Sequence, residues 1–173
     1  MFSLPLVTDH KDAFKDKRVV LRLDLNVPLD NGAIRDDYRI KESLPTVNFL
    51  REAGAKLVII SHIGKGKPED TLLPVATYLH ALYSTVTFLP NLLDQKNVEM
   101  AEKMVAGDIL LLENLRHSEG EEGNDPEFAK YLASLGEVYV NDAFSVSHRA
   151  HASVVGVPAL LPHYTGIRLG KEI

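Results

Sequence analysis

The stretches RVVLRLDL (residues 18–25) and KLVIIS (residues 56–61) decide the fold. Each is a short run of β-branched and aliphatic residues with little polar interruption. A strand with this pattern is buried on both faces, as in a parallel sheet covered by helices, whereas a half-exposed strand alternates apolar and polar residues. Three further runs of this kind predict strands at Val86–Leu89, Asp108–Leu112 and Glu137–Asn141.

Helical patterns lie between the predicted strands. Apolar residues recur at helical spacing, which predicts helices over Arg39–Ala53, over Thr71–Tyr83, over Gln95–Val105, and from a cap at Asn124 or Asp125 to Gly136. This alternation predicts an α/β fold, a three-layer α/β/α open parallel sheet of Rossmann-like architecture. Because no repeat, low-complexity tract or shift in composition divides the chain, we expect residues 1–173 to form a single domain.

The composition limits the compartment and the partners. With 45% apolar and 25% charged residues the chain is an ordinary globular sequence, and its formal net charge of −5 argues against nucleic-acid binding. The absence of cysteine excludes disulfides and thiolate metal sites and fits a reducing compartment. The first residues do not resemble a secretory signal, and no apolar run is long enough to span a membrane. We expect a cytoplasmic protein without nucleic-acid or membrane partners.

Acidic residues cluster at Glu119, Glu121, Glu122, Asp125 and Glu127. Such a run is typical of a solvated loop followed by the start of a helix, where carboxylates are favoured by the helix dipole. We therefore expect this cluster to face the solvent, and any cationic site on this acidic chain to be local.

Cationic residues follow four of the predicted strands. In open α/β sheets ligands bind at the carboxyl ends of the strands, so a site is expected in these loops. Three of the eight arginines lie there, at Arg39, Arg116 and Arg149, and the loop SHIGKGKP (residues 61–68) adds a histidine, two glycines and two lysines. Guanidinium groups bind phosphate or carboxylate through paired, charge-assisted hydrogen bonds. The sequence therefore predicts a site for a small anionic, phosphorylated ligand.

Several polar residues of these loops also have a purely structural interpretation. Asp24 could satisfy backbone amides at a strand end, and Glu113 with Asn114 could do the same in the loop of the fourth strand. His148 and His151 have the helical spacing of paired metal ligands, but the sequence offers no obvious third ligand. No metal site is predicted.

Six segments, taken in order, resemble the phosphoglycerate kinase family. They are RLDLNVPLDNGAIRDDYRI (22–40), LVIISHIGKGKPE (57–69), LLPVA (72–76), DILLLENLRHSEGEEGNDPEFAKYLASLGEVYVNDAF (108–144), HRAHASVVG (148–156) and LLPHYTGIRLGKEI (160–173). The resemblance covers nearly the whole chain and is to the amino-terminal half of that enzyme. The family has two α/β domains that face each other across a cleft. The first binds 3-phosphoglycerate or 1,3-bisphosphoglycerate, and the second binds ADP or ATP with Mg²⁺.

The resemblance implies a glycolytic kinase that transfers a phosphoryl group between 1,3-bisphosphoglycerate and ADP, and of which this chain is the phosphoglycerate-binding half. The carboxyl-terminal nucleotide domain would be its partner. ATP or ADP and Mg²⁺ would bind in that missing domain, so no cofactor is expected in this chain. Alone, the chain is expected to bind 3-phosphoglycerate without catalysing transfer.

The resemblance also implies roles for individual residues. Asp24 and Asn26 would bind the glycerate hydroxyl and carboxylate, and Arg39 would be the catalytic residue that stabilises charge on the transferring phosphoryl group. A basic patch for the remote phosphate would be completed by His62, Arg116 and Arg149. The full set of expected substrate-binding residues is Asp24, Leu25, Asn26, Arg39, His62, Ile63, Gly64, Lys65, Arg116 and Arg149.

The chain departs from the family pattern in two loops. Ile63, Lys65 and Gly66 stand in a segment that usually reads SHLGRP, and Lys65 keeps the positive charge but loses the bidentate fork of an arginine. Ser145 and Val146 stand where two small residues such as glycine and threonine are usual, which would stiffen that loop.

Two other functions fit the residues alone. One is a stand-alone module that senses a phosphorylated metabolite without catalysis. The other is a phosphatase that uses Asp24 of the segment LDLNV as its nucleophile, although Asn26 then replaces the second acid that such enzymes use for proton transfer.

Overall fold

The structure is a computed structural model that describes residues 5–173, so the first four residues of the expected domain lie outside the described residues. It contains eight strands in this part of the chain: β1 (Arg18–Arg22), β2 (Leu29–Asp30), β3 (Ala33–Ile34), β4 (Lys56–Ile60), β5 (Val86–Leu89), β6 (Ile109–Leu112), β7 (Val138–Asn141) and β8 (His163–Thr165). Six of them form one sheet in the order β5-β6-β4-β1-β7-β8, and every pair in it is parallel. The predicted parallel sheet is confirmed.

The helices connect these strands. They are α1 (Tyr38–Glu52), α2 (Leu73–Leu82), α3 (Gln95–Glu102), α4 (Glu119–Glu122), α5 (Pro126–Ser134) and α6 (Ile167–Glu172), and a π-helical turn covers Ala152–Gly156. Among residues 5–173, no helix combines the length and the apolarity needed to cross a membrane.

The sheet is buried on both faces. Val19 and Leu21 of β1 belong to the core that α1 and α2 cover, whereas Val20 between them belongs to the core that α3 and α5 cover. Successive side chains of a strand point to opposite faces, so apolar residues at consecutive positions are what a sheet between two helical layers requires. The three-layer α/β/α prediction is confirmed.

The sequence patterns missed the short elements. The hairpin of β2 and β3 encloses the turn at Asn31 and Gly32, both of which have positive φ, as a tight hairpin turn demands. Strand β8 has three residues and an exposed His163, so it lacks the apolar run by which the other parallel strands were predicted. Strand β1 ends at Arg22 rather than at Leu25, because the backbone N–H of Leu25 bonds the Ser61 hydroxyl instead of a neighbouring strand.

The expectation that the whole acidic cluster faces solvent is wrong. Asp125 does cap a helix as predicted, since its Oδ1 accepts a hydrogen bond of 2.8 Å from the Phe128 N–H at the start of α5. Glu121, in contrast, is fully buried. It lies in α4, which packs against α5 and the π-helical turn, and composition alone carries no sign of that packing.

The last helix is fastened to the sheet by Asp142, a fully buried residue that follows β7. Its Oδ1 accepts a hydrogen bond of 3.0 Å from the Leu169 N–H in α6, while the Thr46 hydroxyl of α1 accepts one of 3.0 Å from the Ile167 N–H. Burial raises the pKa of Asp142 to about 6, because the charged carboxylate loses hydration.

Replacing Asp142 by Asn is expected to change stability in a pH-dependent way. The carboxyl titrates near 3.8 when unfolded and near 6 when folded, so its contribution to stability is lost as the pH rises from about 4 to about 6. Asparagine keeps the acceptor for Leu169 and carries no charge. We therefore expect Asp142→Asn to raise the melting temperature at pH 8 and to raise it less at pH 5, as measured by circular dichroism.

Asp12→Asn is the matched control, because Asp12 is an exposed acid far from this contact in the sequence. A shift of Asp142→Asn that is the same at pH 5 and pH 8 would contradict the assignment.

Candidate anion-binding site

The loops singled out from the sequence follow four strands that are neighbours in the sheet. The order β6-β4-β1-β7 is continuous, and all four strands are parallel, so their carboxyl ends lie side by side. The chain winds outward from β1 in both directions, and such a reversal in strand order opens a crevice at the carboxyl edge. The fold thus brings together at one edge the loops that carry Asp24, His62, Arg116 and Arg149.

Asp24 and Arg39 form an ion pair at this edge. The Arg39 Nη1 donates to Asp24 Oδ2, which also accepts a hydrogen bond of 2.7 Å from the Ser145 hydroxyl. Burial by itself raises the pKa of Asp24, but the hydrogen bonds from Arg39 and Ser145 outweigh it and hold the pKa below its ordinary value. Asp24 is therefore a buried, ionised carboxylate, while 40% of the Arg39 side chain is exposed.

The loop at residues 61–68 is held by side chains from the neighbouring loops. Asn26 Oδ1 accepts a hydrogen bond of 3.0 Å from the Gly64 N–H, and Arg116 Nη1 donates one of 2.6 Å to the Gly64 carbonyl. Asp70 Oδ2 accepts from the N–H groups of Lys65, at 2.8 Å, and Lys67, at 3.0 Å. The conformation of the loop is thus fixed before any ligand binds.

The glycines of this loop are required by its geometry. Gly64 and Gly66 both have positive φ, at 58° and 86°. A Cβ atom on Gly66 would lie 2.3 Å from the Arg116 carbonyl oxygen, which is a backbone atom that cannot swing aside. The departure at Gly66 is therefore a conformational requirement of this loop.

The structural interpretation of Glu113 and Asn114 is confirmed. Glu113 accepts hydrogen bonds from the Thr71 hydroxyl, at 2.6 Å, and from the Leu72 N–H, at 2.9 Å. Asn114 bonds both the N–H and the carbonyl of Ile63, at 3.2 and 2.8 Å. Both side chains are buried, and they organise the loop that carries the site.

His62 is buried and neutral. Burial, reinforced by the positive charges of Arg22 and Arg116, lowers the pKa of His62 to about 3. Arg22 Nη2 lies 2.9 Å from His62 Nδ1, and because guanidinium can only donate, Nδ1 is the acceptor and the ring proton is on Nε2. The basic patch expected from the sequence therefore receives a hydrogen-bonding group from His62 and no charge.

The remaining expected residues divide into buried and exposed ones. Leu25 and Ile63 are buried in the core, so any contact with a ligand would come from their backbone. Lys65 and Arg149 are exposed and form no ion pair with residues 5–173. Arg116 is mostly buried, with 11% of its side chain exposed, and its Nε lies 3.3 Å from Glu122 Oε1.

The histidines of the segment HRAH do not form a metal site in the described residues. His148 is exposed, whereas His151 is buried with its Nδ1 3.8 Å from Glu121 Oε1. Residues 5–173 contain no group of three or more histidine, aspartate or glutamate side chains that could hold a metal ion.

Sequence reasoning missed Arg22, which lies under the site and is fully buried. Its position offered a signal, because a single arginine interrupts the apolar run RVVLRLDL two residues before Asp24. A charged residue at a strand position that pattern predicts to be buried needs partners from elsewhere in the chain. Those partners include Ser153, which in turn bonds Glu121, and no local pattern connects either residue to Arg22.

The comparisons with known proteins agree on one family. The family model described as "PGK: Phosphoglycerate kinase" matches residues 7–173. Among curated relatives, the phosphoglycerate kinase of Coprothermobacter proteolyticus is 49% identical over 166 residues, which cover 92% of this chain and 42% of that protein. The phosphoglycerate kinase of Dictyoglomus turgidum is 48% identical over 163 residues, which cover 92% of this chain and 41% of that protein.

Solved structures give the same result. Phosphoglycerate kinase from Coxiella burnetii superposes with a TM-score of 0.86 at 34% identity, over 98% of this chain and 43% of that one. Phosphoglycerate kinase from Pyrococcus horikoshii OT3 superposes with a TM-score of 0.87 at 35% identity, over 99% and 44%. The chain spans about two fifths of the length of the curated relatives that it matches. With its sheet, its strand-end loops and the match over residues 7–173 taken together, this chain belongs to the phosphoglycerate kinase family.

Proposed function

We propose that the strand-end site binds 3-phosphoglycerate and 1,3-bisphosphoglycerate and forms the acceptor-substrate half of a glycolytic kinase. The observation that carries the proposal is the convergence of four loops from adjacent strands, which brings the Asp24–Arg39 ion pair and the loops of Lys65, Arg116 and Arg149 to one edge of the sheet. The nucleotide and Mg²⁺ would be bound by a second domain in a longer protein, as the family resemblance implies. The cytoplasmic location stays a prediction.

The phosphate end of the ligand would bind to the exposed cations. Lys65 and Arg149 have no ion-pair partner within residues 5–173, so no internal contact has to be broken before they bind an anion. Arg116 would add a guanidinium whose position is already fixed by the Gly64 carbonyl. The N–H groups of Gly64 and Lys65 already donate to Asn26 and Asp70, so this loop would contribute the Lys65 side chain to the ligand rather than backbone donors.

The glycerate end would bind at Asp24 and Asn26. A buried, ionised carboxylate can accept a hydrogen bond from the ligand hydroxyl, and the Asn26 amide nitrogen can donate to the ligand carboxylate. Arg39 is paired with Asp24 but partly exposed, so it could contact the ligand without leaving that ion pair. A guanidinium there would stabilise negative charge on the transferring phosphoryl group, since phosphoryl transfer depends mainly on positioning and electrostatics.

Removing the Arg149 side chain is expected to weaken 3-phosphoglycerate binding. Hydrogen bonds to a charged group contribute on the order of 1.5–3 kcal/mol, so Arg149→Ala should raise the Kd roughly 10- to 100-fold in a calorimetric titration. The fold should be unaffected, because Arg149 is exposed.

Arg51→Ala is the control for that titration. Arg51 Nε donates to the Gly107 carbonyl, which precedes β6 and thus lies at the opposite edge of the sheet. Its loss removes one positive charge without touching the site, so the Kd should stay close to that of the unaltered chain. No saturable binding of 3-phosphoglycerate by the folded chain would overturn the proposed function.

The protonation of His62 provides a second test. With a pKa of about 3, the folded imidazole should stay neutral from pH 5 to pH 8, and its nitrogen-15 chemical shifts should not change in that range. In urea the same histidine should titrate near its ordinary value of 6.5, which serves as the control. Titration of the folded His62 between pH 6 and 7 would show that this ring is a cation near neutral pH and would contradict the assignment.

A further inference from the structure

Arg22 is a permanent positive charge with no direct anionic partner among the described residues. It is fully buried at the end of β1. Its guanidinium contacts only neutral groups: the Leu23 carbonyl at 2.5 Å, the Ser61 hydroxyl at 3.4 Å, the Ser153 hydroxyl at 3.0 Å and His62 Nδ1 at 2.9 Å. An uncompensated charge in a protein interior is strongly unfavourable, so a counter-charge close by is required.

Ser153 connects Arg22 to that counter-charge. The Ser153 hydroxyl accepts from Arg22 Nε and donates a hydrogen bond of 2.5 Å to Glu121 Oε1, which uses its single proton and one lone pair. The Ser153 N–H donates to the other oxygen, Glu121 Oε2, at 3.0 Å. Glu121 and Ser153 are both fully buried. Burial lowers the pKa of Arg22, and the largest opposing influence is the negative charge of Glu121.

This chain of contacts reaches the site through His62. Arg22 donates to Nδ1 of His62 and so keeps the ring proton on Nε2. We infer that Glu121, acting through Ser153, is a positioning residue for the anion site, because it holds the Arg22 guanidinium that fixes the orientation and tautomer of His62. The inference rests on the proposed function, since it names what organises the same site.

The network also joins elements that are distant in the sequence. Glu121 belongs to α4, which follows the loop of Arg116, and Ser153 belongs to the π-helical turn, which follows the loop of Arg149. The Tyr139 hydroxyl donates a hydrogen bond of 2.5 Å to the Ser153 carbonyl and anchors that turn to β7. The segments that follow β6 and β7 are therefore connected to each other by the hydrogen bonds between Glu121 and Ser153. We expect a substitution at Glu121 to alter the conformation of both.

Two variants distinguish the effect of the Glu121 charge from the effect of the Ser153 hydroxyl that connects Glu121 to Arg22. Ser153→Ala removes the bridging hydroxyl and leaves every charge in place, whereas Glu121→Gln removes the charge and keeps a side chain of similar shape. Glu119→Gln is the matched control, because Glu119 lies in the same short helix and is exposed. All are made in the 173-residue chain, and an amide correlation spectrum establishes that each variant is folded.

The first measurement is the tautomer of His62, read from its imidazole nitrogen-15 shifts at pH 7 without ligand. We expect a single Nε2–H tautomer in the unaltered chain and in Glu119→Gln, and a mixture of both tautomers in Ser153→Ala and Glu121→Gln. This readout requires no ligand, so it tests the positioning role even if 3-phosphoglycerate does not bind. A His62 tautomer that stays the same in both variants would overturn the inference.

The second measurement is a calorimetric titration with 3-phosphoglycerate, in which the sign of the effect is informative. Removing a negative charge near the site should strengthen anion binding if Glu121 acts only through its field. If Glu121 positions Arg22 and His62, binding should weaken by about 10-fold in Glu121→Gln, as it should in Ser153→Ala, which changes no charge. Tighter binding by Glu121→Gln, or unchanged binding by Ser153→Ala, would overturn the positioning role.

The two hypotheses fail in different ways. If the unaltered, folded chain does not bind 3-phosphoglycerate, the proposed function is wrong and the His62 tautomer alone decides the positioning role. If Glu121→Gln does not fold, Ser153→Ala decides in its place, because it removes only one oxygen atom and leaves no buried charge without its counter-charge.

Discussion

The structure depends on a buried guanidinium at the end of its central strand. Arg22 is the last residue of β1, which has β4 on one side and β7 on the other. Strand alternation directs its side chain to the same face as Val20, beneath the loops that follow the sheet. A buried guanidinium needs a hydrogen-bond acceptor for each of its N–H groups. For Arg22 these acceptors lie in the segments that follow β1, β4 and β7. The need to satisfy one charge thus unites the segments that carry the site.

The same logic applies to the backbone at the carboxyl edge. Where strands end, N–H and carbonyl groups leave the sheet and need other partners, and Asn26, Glu113 and Asn114 provide them. The side chains that bond these backbone groups also determine the geometry of the candidate site. They fix the positions from which Gly64, Lys65 and Arg116 would meet a ligand, so fold stability and ligand-ready geometry have a common origin. A site organised in this way needs little rearrangement on binding, which reduces the entropic cost of association.

The sequence predicted the layers of the fold better than it predicted the interior of the site. Continuous apolar runs identified five of the six parallel strands, because burial on both faces leaves a strong local pattern. Strand β8 was missed, because its three residues carry no such pattern. The loops of the candidate site were singled out because strand ends are where open α/β sheets bind ligands, and their role in binding stays a prediction. The contacts of Arg22 and Glu121 could not be predicted from the sequence, because Arg22 is 131 positions from Ser153 and Glu121 is 32 positions from it.

The cations of the site are not equivalent, and their differences suggest an order of events. Arg39 is paired with Asp24 and Arg116 lies near Glu122, so part of their charge is already balanced. Arg149 and Lys65 are exposed and, within residues 5–173, form no ion pair, so their charges are not balanced by a neighbouring carboxylate. The chain as a whole has a net charge of −5 and therefore repels an anion at long range, so attraction has to come from positive charges close to the site. Under the proposed function, we therefore expect the exposed Lys65 and Arg149 to meet the anion first and the paired Arg39 and Arg116, whose positions are fixed by internal contacts, to orient it.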